Sequence, residues 1–509
     1  MTEQKVMNRW LVVVGAVLIQ LCLGAIYAWS VFTPPLAATD AADVASIYSA
    51  SRLGIEQAQL DKMRAELAAP KDALKAAVKG SAEQLKAESE PAKVAEIEKA
   101  LAATKKTLRG EMDTITAAYN VRDKVDALKY GMSKTQTQMV FAAGLALFAI
   151  VMVLAGRMMP KVGPKNLAIA GGLVLGAGYF LAGLFGKGAF WPTFLLVGVV
   201  GGSGIGLGYV VPIAVGMKWF PDKKGLVTGL AVAGFGFGAL LWVKLAGSWG
   251  HLIANMGLGT TFMVYGVVFF LLCLMGAAWM KNPPEGWKPA GWEPPAPKEG
   301  KSVGAVDFTS GEMLGTPQFY LIFLCFVVGA GAGLMSIGLM KLFPKEALQA
   351  AGMAAADADK TAGTAMAVFF SLANGVGRIA WGTMSEKLGR KTSIFVMLAT
   401  QGALVVLFQW MAGTPALLFL GATLIGFNFG GNFALFPTIT ADTFGTKNIA
   451  QNYPWVFLAY GVGGIGGPIL GGKLGDMGNF PTAFTICGVL CLAAAAVAYM
   501  VRPPKRIAA

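Results

Sequence analysis

Twelve apolar stretches, most of them about 20 residues long, recur along the 509-residue chain. That length matches a bilayer's hydrocarbon core of about 30 Å, crossed at about 1.5 Å per helical residue. Lipid offers backbone N–H and C=O groups no partner, so uninterrupted apolar stretches of this kind read as helices that satisfy their own hydrogen bonds. The stretches fall at 10–32, 139–157, 166–186, 190–217, 226–249, 260–280, 317–339, 361–384, 392–411, 415–439, 454–472 and 481–501. The expected fold class is therefore an all-α membrane protein with twelve transmembrane helices. The length of the first stretch and its aromatic end, Tyr27-Ala28-Trp29, favour a retained span over a removed leader.

A formal charge of +14 would suit nucleic acid, but the basic residues sit in short loops between apolar stretches, which is the pattern of membrane topology. The 67 glycines and 24 methionines suit helices packed closely in lipid. Cys22, Cys273, Cys325, Cys487 and Cys491 all lie in predicted spans and read as buried thiols without a disulfide framework. The single histidine, His251, follows Trp249 at a span end and reads as an interfacial residue; no metal site can be assembled around it, and no cofactor is expected.

Residues 39–135 differ in character: Ala, Lys and Glu dominate, and apolar residues return at helical spacing. Leu53, Leu60, Leu67 and Leu74 repeat every seven, while Val94, Ile97, Leu101, Leu108 and Ile115 step by threes, fours and sevens. This predicts two or three helices in a hairpin or short coiled coil outside the membrane, the first pattern being interrupted at Pro70 and at Gly80-Ser81. A charged Ala-rich helix carries no chemistry of its own. From Asn282 to Gly300 the chain is rich in Pro, Lys and Gly, a flexible linker between two halves. The expected organisation is a first half at 1–280 containing the insert at 39–135, a linker at 281–312, and a second half at 313–509.

Orientation follows from the loops. Lys5, Arg9, Arg157, Lys161, Lys165, Lys218, Lys223, Lys224, the linker, Lys387, Arg390, Lys391, Lys447, Arg502, Lys505 and Arg506 fall on one side, against Lys187, Lys341, Lys345, Lys360 and Lys473 on the other. Both termini and the linker are expected to be cytoplasmic, the insert extracytoplasmic, and the protein multi-pass in the cytoplasmic (inner) membrane.

The halves repeat. Gly156-Arg157-Met158-Met159-Pro160-Lys161-Val162-Gly163 aligns with Gly382-Thr383-Met384-Ser385-Glu386-Lys387-Leu388-Gly389 at an offset of 226, and Pro212 aligns with Pro437 at 225. Two six-helix halves of parallel topology follow, with a binding site expected at their interface near the midplane.

At that depth lies Arg378. It precedes the charged cluster Glu386-Lys387-Leu388-Gly389-Arg390-Lys391 by eight residues, about 12 Å of helix, against about 15 Å for half the hydrocarbon core. An arginine there costs roughly 2.5–3.5 kcal/mol and marks a cavity or a partner. Asn374, one turn before it, shares its face. No acidic residue lies deep in any span, since Glu386 and Asp442 are at the boundary, so the natural counter-ion is a transported anion. A guanidinium presents parallel donors that match a carboxylate. Gln20, Tyr27, Tyr209, Asn428, Asn432, Phe457 and Tyr460 are the candidate lining groups. Asn and Gln also join helices by hydrogen bonds, and Tyr27 with Trp29 also suits an interfacial belt. Lys244, near the outer end of its span, reads as snorkelling to the interface, with a second anion contact as the alternative.

The Gly-x-x-x-(acidic)-x-x-Gly-Arg-Lys cluster from Gly382 to Lys391 resembles the cytoplasmic loop signature of the major facilitator superfamily. The resemblance implies gating roles for Gly156, Gly163, Gly382, Glu386, Gly389 and Arg390; in the first copy Pro160 stands where the family has aspartate. Gln20-Leu21-Cys22-Leu23-Gly24-Ala25-Ile26-Tyr27-Ala28-Trp29-Ser30, Ser133-Lys134-Thr135-Gln136, Lys218-Trp219-Phe220-Pro221-Asp222-Lys223-Lys224-Gly225, Thr316-Pro317-Gln318-Phe319-Tyr320 and Asn374 to Arg378 resemble the oxalate/formate antiporter family, and the Lys218–Gly225 loop is also similar to monocarboxylate transporters. Such oxalate carriers are expected to pair the arginine with a lysine at the position of Tyr460, and proton-coupled carriers to have aspartate at the position of Asn374. The resemblance then implies a carrier of a monocarboxylate such as formate, acetate, lactate or pyruvate by alternating access. A dicarboxylate exchanger and a carboxylate sensor signalling through the insert are the alternatives. The expected partners are a small carboxylate, the bilayer and a coupled proton or exchanged anion, with an extracytoplasmic partner of the insert left open. No nucleic acid is expected. The expected state is a monomer, and no catalytic residue is assigned.

Overall fold

The computed structural model describes residues 7–186, 190–293, 307–340, 342–476 and 479–502. Lys5, Lys187, Lys341, Lys505 and Arg506 of the loop-charge pattern lie outside the described residues, as do linker residues 294–300 and the side chains of Ser30, Lys134 and Thr135. No β-strand occurs among the described residues. The first span is α1 (Trp10–Leu23), continued by a 3₁₀ turn over Gly24–Ala28 and a helical stretch over Trp29–Ala37. The insert contributes α2 (Gln57–Ala87) and α3 (Pro91–Ala118). Then come α4 (Lys134–Val162), α5 (Pro164–Phe185), α6 (Gly202–Trp219), α7 (Lys224–Ala246) and α8 (Leu258–Ala277). After the linker follow α9 (Pro317–Leu339), α10 (Ser371–Leu388), α11 (Arg390–Met411), α12 (Pro415–Phe444), α13 (Ile449–Asp476) and α14 (Phe480–Met500).

Helix starts follow local chemistry. A capping box opens α4, with Gln136 N–H donating to Ser133 Oγ at 3.0 Å and Ser133 N–H to Gln136 Oε1 at 2.8 Å. Proline in the first turn opens α5, α9, α12 and α14, where its missing N–H costs nothing. Pro454 was expected to begin a span; it lies inside α13, which starts at Ile449.

Among the described residues, eleven helices are long and apolar enough to cross a membrane. The Arg378 helix is not one of them, because its 18 residues carry Arg378, Glu386 and Lys387. It continues a helical segment, Ala355–Thr364, through a π stretch over Ala365–Phe370 that ends four residues before Asn374.

By packing, α1 and α4 to α8 form one group and α9 to α14 another. Contacts between the groups run through α7 on α10 and α12, and through α4 and α6 on α13. The repeat reappears in this packing. Gly163 and Gly389 end α4 and α10 at φ of 82° and 83°, a region that other residues enter at a cost. A methyl group on Gly156 would overlap the Ala450 carbonyl, and one on Gly382 the Gly225 carbonyl, so each repeat lies against the opposite group at an equivalent place.

The insert is a helix hairpin. Leu60, Met63, Leu67 and Leu74 are buried along α2; Leu108 and Ile115 of α3 pack half-buried against this core, and Val94, Ile97 and Leu101 are half-buried farther along α3. Leu53 is buried too, but on the separate short helix Ala50–Leu53. The expected breaks do not occur: α2 runs through Pro70 and Gly80, because its packed face outweighs the lost hydrogen bond at the proline. Gly131 N–H donates to the Ala38 carbonyl and Met132 N–H to the Leu36 carbonyl, both at 3.0 Å, so the insert's two ends leave together. Lys71 on α2 ties the hairpin to buried Asp40 at 2.6 Å and to Asp43 at 2.8 Å. All five cysteines are buried and free.

Candidate functional site

Arg378 is fully buried and faces α7, placing it where the two groups of helices meet. Nε donates to Asn374 Oδ1 at 2.9 Å, the one-turn spacing acting within α10. Nη1 donates to the Val232 carbonyl of α7 at 2.8 Å. Nη2 has no partner. The guanidinium carbon stands 4.1 Å from the Phe433 ring centroid and 5.6 Å from that of Phe235, so ring faces supply part of the missing negative potential. No acidic side chain pairs with it among the described residues. The approach depends on glycine: a methyl group on Gly229 would lie 2.5 Å from the Arg378 carbonyl oxygen, and one on Gly236 3.4 Å from Nε.

Rings enclose this charge. Phe235 meets Tyr27 edge-on at 5.1 Å and Tyr209 at 5.4 Å. Phe457 lies 5.0 Å from Phe148, 5.2 Å from Tyr209 and 5.2 Å from Tyr460. The Tyr27 and Tyr460 hydroxyls hydrogen-bond across the two groups of helices. Tyr209 and Tyr453 hydroxyls are buried without partners, so polar tips remain unsatisfied in this enclosure. Gln20 donates to the Tyr209 carbonyl at 3.1 Å, leaving its Oε1 free.

Of the residues singled out from sequence, Arg378, Asn374, Tyr27, Tyr209, Phe457 and Tyr460 thus converge, with Gln20 behind Tyr209. Asn428 and Asn432 do not join them. Asn428 donates to Thr400 of α11 at 3.0 Å, and Asn432 donates within α12 at 3.0 Å and lies against Gly329 of α9. The face of α12 turned to Arg378 carries Gly430 and Phe433 instead. Phe148, Phe433 and Tyr453 escaped sequence reading. The repeat offset of 226 places Phe148 opposite Asn374, which was the available signal. Lys244 sits 6.0 Å from the Trp249 ring at the span's end, apart from this group.

At the end carrying the basic loops, the groups are locked together. Glu386 Oε1 accepts from the Gly225 and Leu226 N–H groups at 2.9 and 3.1 Å, capping the start of α7. Asp442 holds Lys224 and Arg390, each at 3.0 Å, and Arg390 also reaches Ser385. Within the first group, Arg9 clasps Asp222 through both terminal nitrogens at 2.7 and 3.1 Å. In the first repeat Pro160 offers no carboxylate, and Arg157 lies over Trp455 at 5.4 Å instead.

Comparison with known proteins identifies the family and the fold. The sequence profile described as Major Facilitator Superfamily matches residues 114–358 and 346–509. The chain is 29% identical over 374 residues to the Oxalate:formate antiporter of Oxalobacter formigenes, covering 73% of this chain and 84% of that one. It is 29% identical over 344 residues to an uncharacterized MFS-type transporter, YhjX, of Escherichia coli, covering 67% and 79%. Apicoplast pyruvate carrier 1 of Toxoplasma gondii is 26% identical over 411 residues, covering 70% and 74%. The outward conformation of FucP, a Major Facilitator Superfamily transporter, superimposes with a TM-score of 0.52 at 17% identity, over 73% of this chain and 91% of FucP. The relatives are transporters, not enzymes, and this chain belongs to the Major Facilitator Superfamily.

Proposed function

We propose that the protein is a secondary carrier of small organic anions, a monocarboxylate such as formate, acetate, lactate or pyruvate, working by alternating access. One observation carries the reading: a fully buried guanidinium between the two groups of helices, with Nη2 free and, among the described residues, no carboxylate beside it. A transported carboxylate supplies the missing partner. Asn374 orients the guanidinium, Tyr27 and Tyr460 close over the anion, and Tyr209, Phe457 and Phe433 enclose its apolar remainder. With a single cation, one carboxylate is matched and a second is left unpaired, which favours monoanions over dianions. Two relatives, an oxalate:formate antiporter and a pyruvate carrier, support small carboxylates as the class.

In this reading the helix carrying Arg378 is a twelfth span, and six spans on each side of the linker make two halves. The end carrying the basic loops is cytoplasmic, and the hairpin projects from the opposite face of the inner membrane. Glu386, Arg390, Gly382, Gly389 and their partners close the cytoplasmic end, with Gly156 and Gly163 as the looser counterpart. Arg378→Ala is expected to abolish uptake into proteoliposomes, and Arg378→Lys to reduce it at least about tenfold, because an ammonium cannot donate in parallel. Folded protein recovered at wild-type yield with undiminished Arg378→Ala uptake defeats the mechanism. Counterflow with labelled acetate, lactate, pyruvate, formate and oxalate names the substrate; preferred exchange of oxalate would favour the dicarboxylate exchanger.

A further inference from the structure

We infer that the cavity at the base of the hairpin binds a phosphate-type oxyanion, presented by a phospholipid headgroup. The inference is independent of the Arg378 site. A cavity of about 420 Å³ opens between the hairpin base and the hairpin-side ends of α5 and α8. Arg52 and Lys124 border it, Tyr130 stands beside them, and the first turn of α8 (Leu258, Gly259, Thr260) forms one wall.

Three positive contributions converge there without a negative one. α8 is 20 residues long, so its N-terminus carries a developed partial charge, with the Tyr48 and Tyr130 hydroxyls beside the Leu258 and Gly259 backbone. The residue that precedes it, Gly257, has no side chain with which to cap it. The Arg52 guanidinium lies against that terminus: a methyl group on Gly257, which sits at φ 86°, would be 3.0 Å from Nη2. Lys124 packs its ammonium onto Gly54, on the same side. No acidic side chain lines the cavity, and neither cation has an ion-pair partner among the described residues. Like charges gathered at a helix N-terminus repel one another unless an anion joins them, and such termini are ready-made anion sites.

A buried phenol lies behind the same helix start. Tyr48 is fully buried, its hydroxyl lacks a well-formed hydrogen bond, and it adjoins Arg52, Tyr130 and the Leu258 backbone. Burial, then Tyr130, hold that hydroxyl above the ordinary phenol range against the pull of Arg52, so it remains a donor at physiological pH. A guanidinium, an ammonium and the start of a helix border this one cavity, a concentration of positive charge that suits a phosphate-type anion. The lower wall is apolar, with Leu184 and Met263, and Phe185 and Trp191 nearby are each 65% exposed. Exposed aromatic residues at span ends mark the headgroup level. Free phosphate shares the recognition chemistry, so the two sources are separated by experiment.

The test uses the full chain, purified in detergent and stripped of lipid. Phosphatidylglycerol or inorganic phosphate is titrated while the thermal unfolding midpoint is followed, and native mass spectrometry counts retained lipids. The lipid is expected to raise the midpoint, with the half-saturating concentration about tenfold higher in Arg52→Gln and in Lys124→Gln, and one fewer lipid retained in the double variant. Arg52→Lys should recover part of the effect. Transport by these variants, which lie away from Arg378, reports that they fold. An equal response to inorganic phosphate that the lipid does not augment would assign the site to free phosphate. Identical titrations for wild type and double variant, or stabilisation by acetate equal to that by phosphate, overturn the inference.

Discussion

Replacing Gly225 with alanine forces the two groups of helices apart at the end carrying the basic loops. The added methyl group overlaps the Gly382 carbonyl, a backbone atom that cannot swing aside, and real Cβ atoms essentially never come within 3.0 Å of such a neighbour. α7 and α10 must therefore separate by about 1 Å to restore ordinary contact. Glu386 accepts from Gly225 and Leu226 N–H at 2.9 and 3.1 Å, and the same displacement carries both distances beyond hydrogen-bonding range. Each such bond to a charged group contributes about 1.5–3 kcal/mol, so losing both moves the balance between closed and open by about 3–6 kcal/mol, or more than about a hundredfold. Asp442, which bridges Lys224 and Arg390 at 3.0 Å, limits the opening but does not restore the cap. The assay is thiol labelling of a cysteine placed at Thr443, a residue lining the pocket beside Glu386, Arg390 and Asp442, together with uptake into proteoliposomes. Labelling should rise and uptake should fall, while Gly466→Ala, whose methyl group would meet nothing within 4 Å, leaves both unchanged. Wild-type labelling and uptake in Gly225→Ala would show that this contact does not hold the end closed.

Tyr460→Phe keeps the ring against Phe457 and Phe433 but removes the hydroxyl contact with Tyr27; KM for uptake should rise about fivefold, the worth of one neutral hydrogen bond, and an unchanged KM would count against a role in binding. Lys71→Ala leaves the Asp40 carboxylate buried without its cation, at a cost of about 1–3 kcal/mol to hairpin docking, read as faster amide exchange across residues 57–87 and refuted by unchanged exchange. Burial lowers the Lys71 pKa, yet its bonds to Asp40 and Asp43 outweigh burial and raise it above the ordinary 10.5. Docking stability from this pairing is therefore fully present below pH 10.5 and lost only as pH rises through the folded value, so exchange that accelerates between pH 7 and 9 would contradict it.

Sequence reading located Arg378 and Asn374 from their depth and spacing, because a charge inside an apolar run is rare enough to stand out and the i, i+4 relation is fixed by helix geometry. The orientation of α12 was not legible in the same way. Asn428 and Asn432 share a face one turn apart, but that face meets α9 and α11, while Phe433, one residue on, stands over the guanidinium. In lipid both the outward and the inward faces of a helix are apolar, so hydropathy carries no rotational signal for a span such as α12. Pro70 failed as a stop signal for a related reason: the Leu60, Met63, Leu67 and Leu74 face of α2 gains more by packing than one missing hydrogen bond costs.

The chain's own order of residues determined the all-helical membrane class, the repeat at an offset of 226 and the isolated guanidinium, since each follows from local length, spacing and charge. Tertiary structure alone decided which rings surround Arg378, that Tyr27 meets Tyr460 across the two groups, and that Glu386 caps α7 while its counterpart Pro160 leaves Arg157 to Trp455. These contacts join residues up to 433 positions apart, and their geometry depends on how close glycine lets two backbones approach, a quantity that no single segment contains.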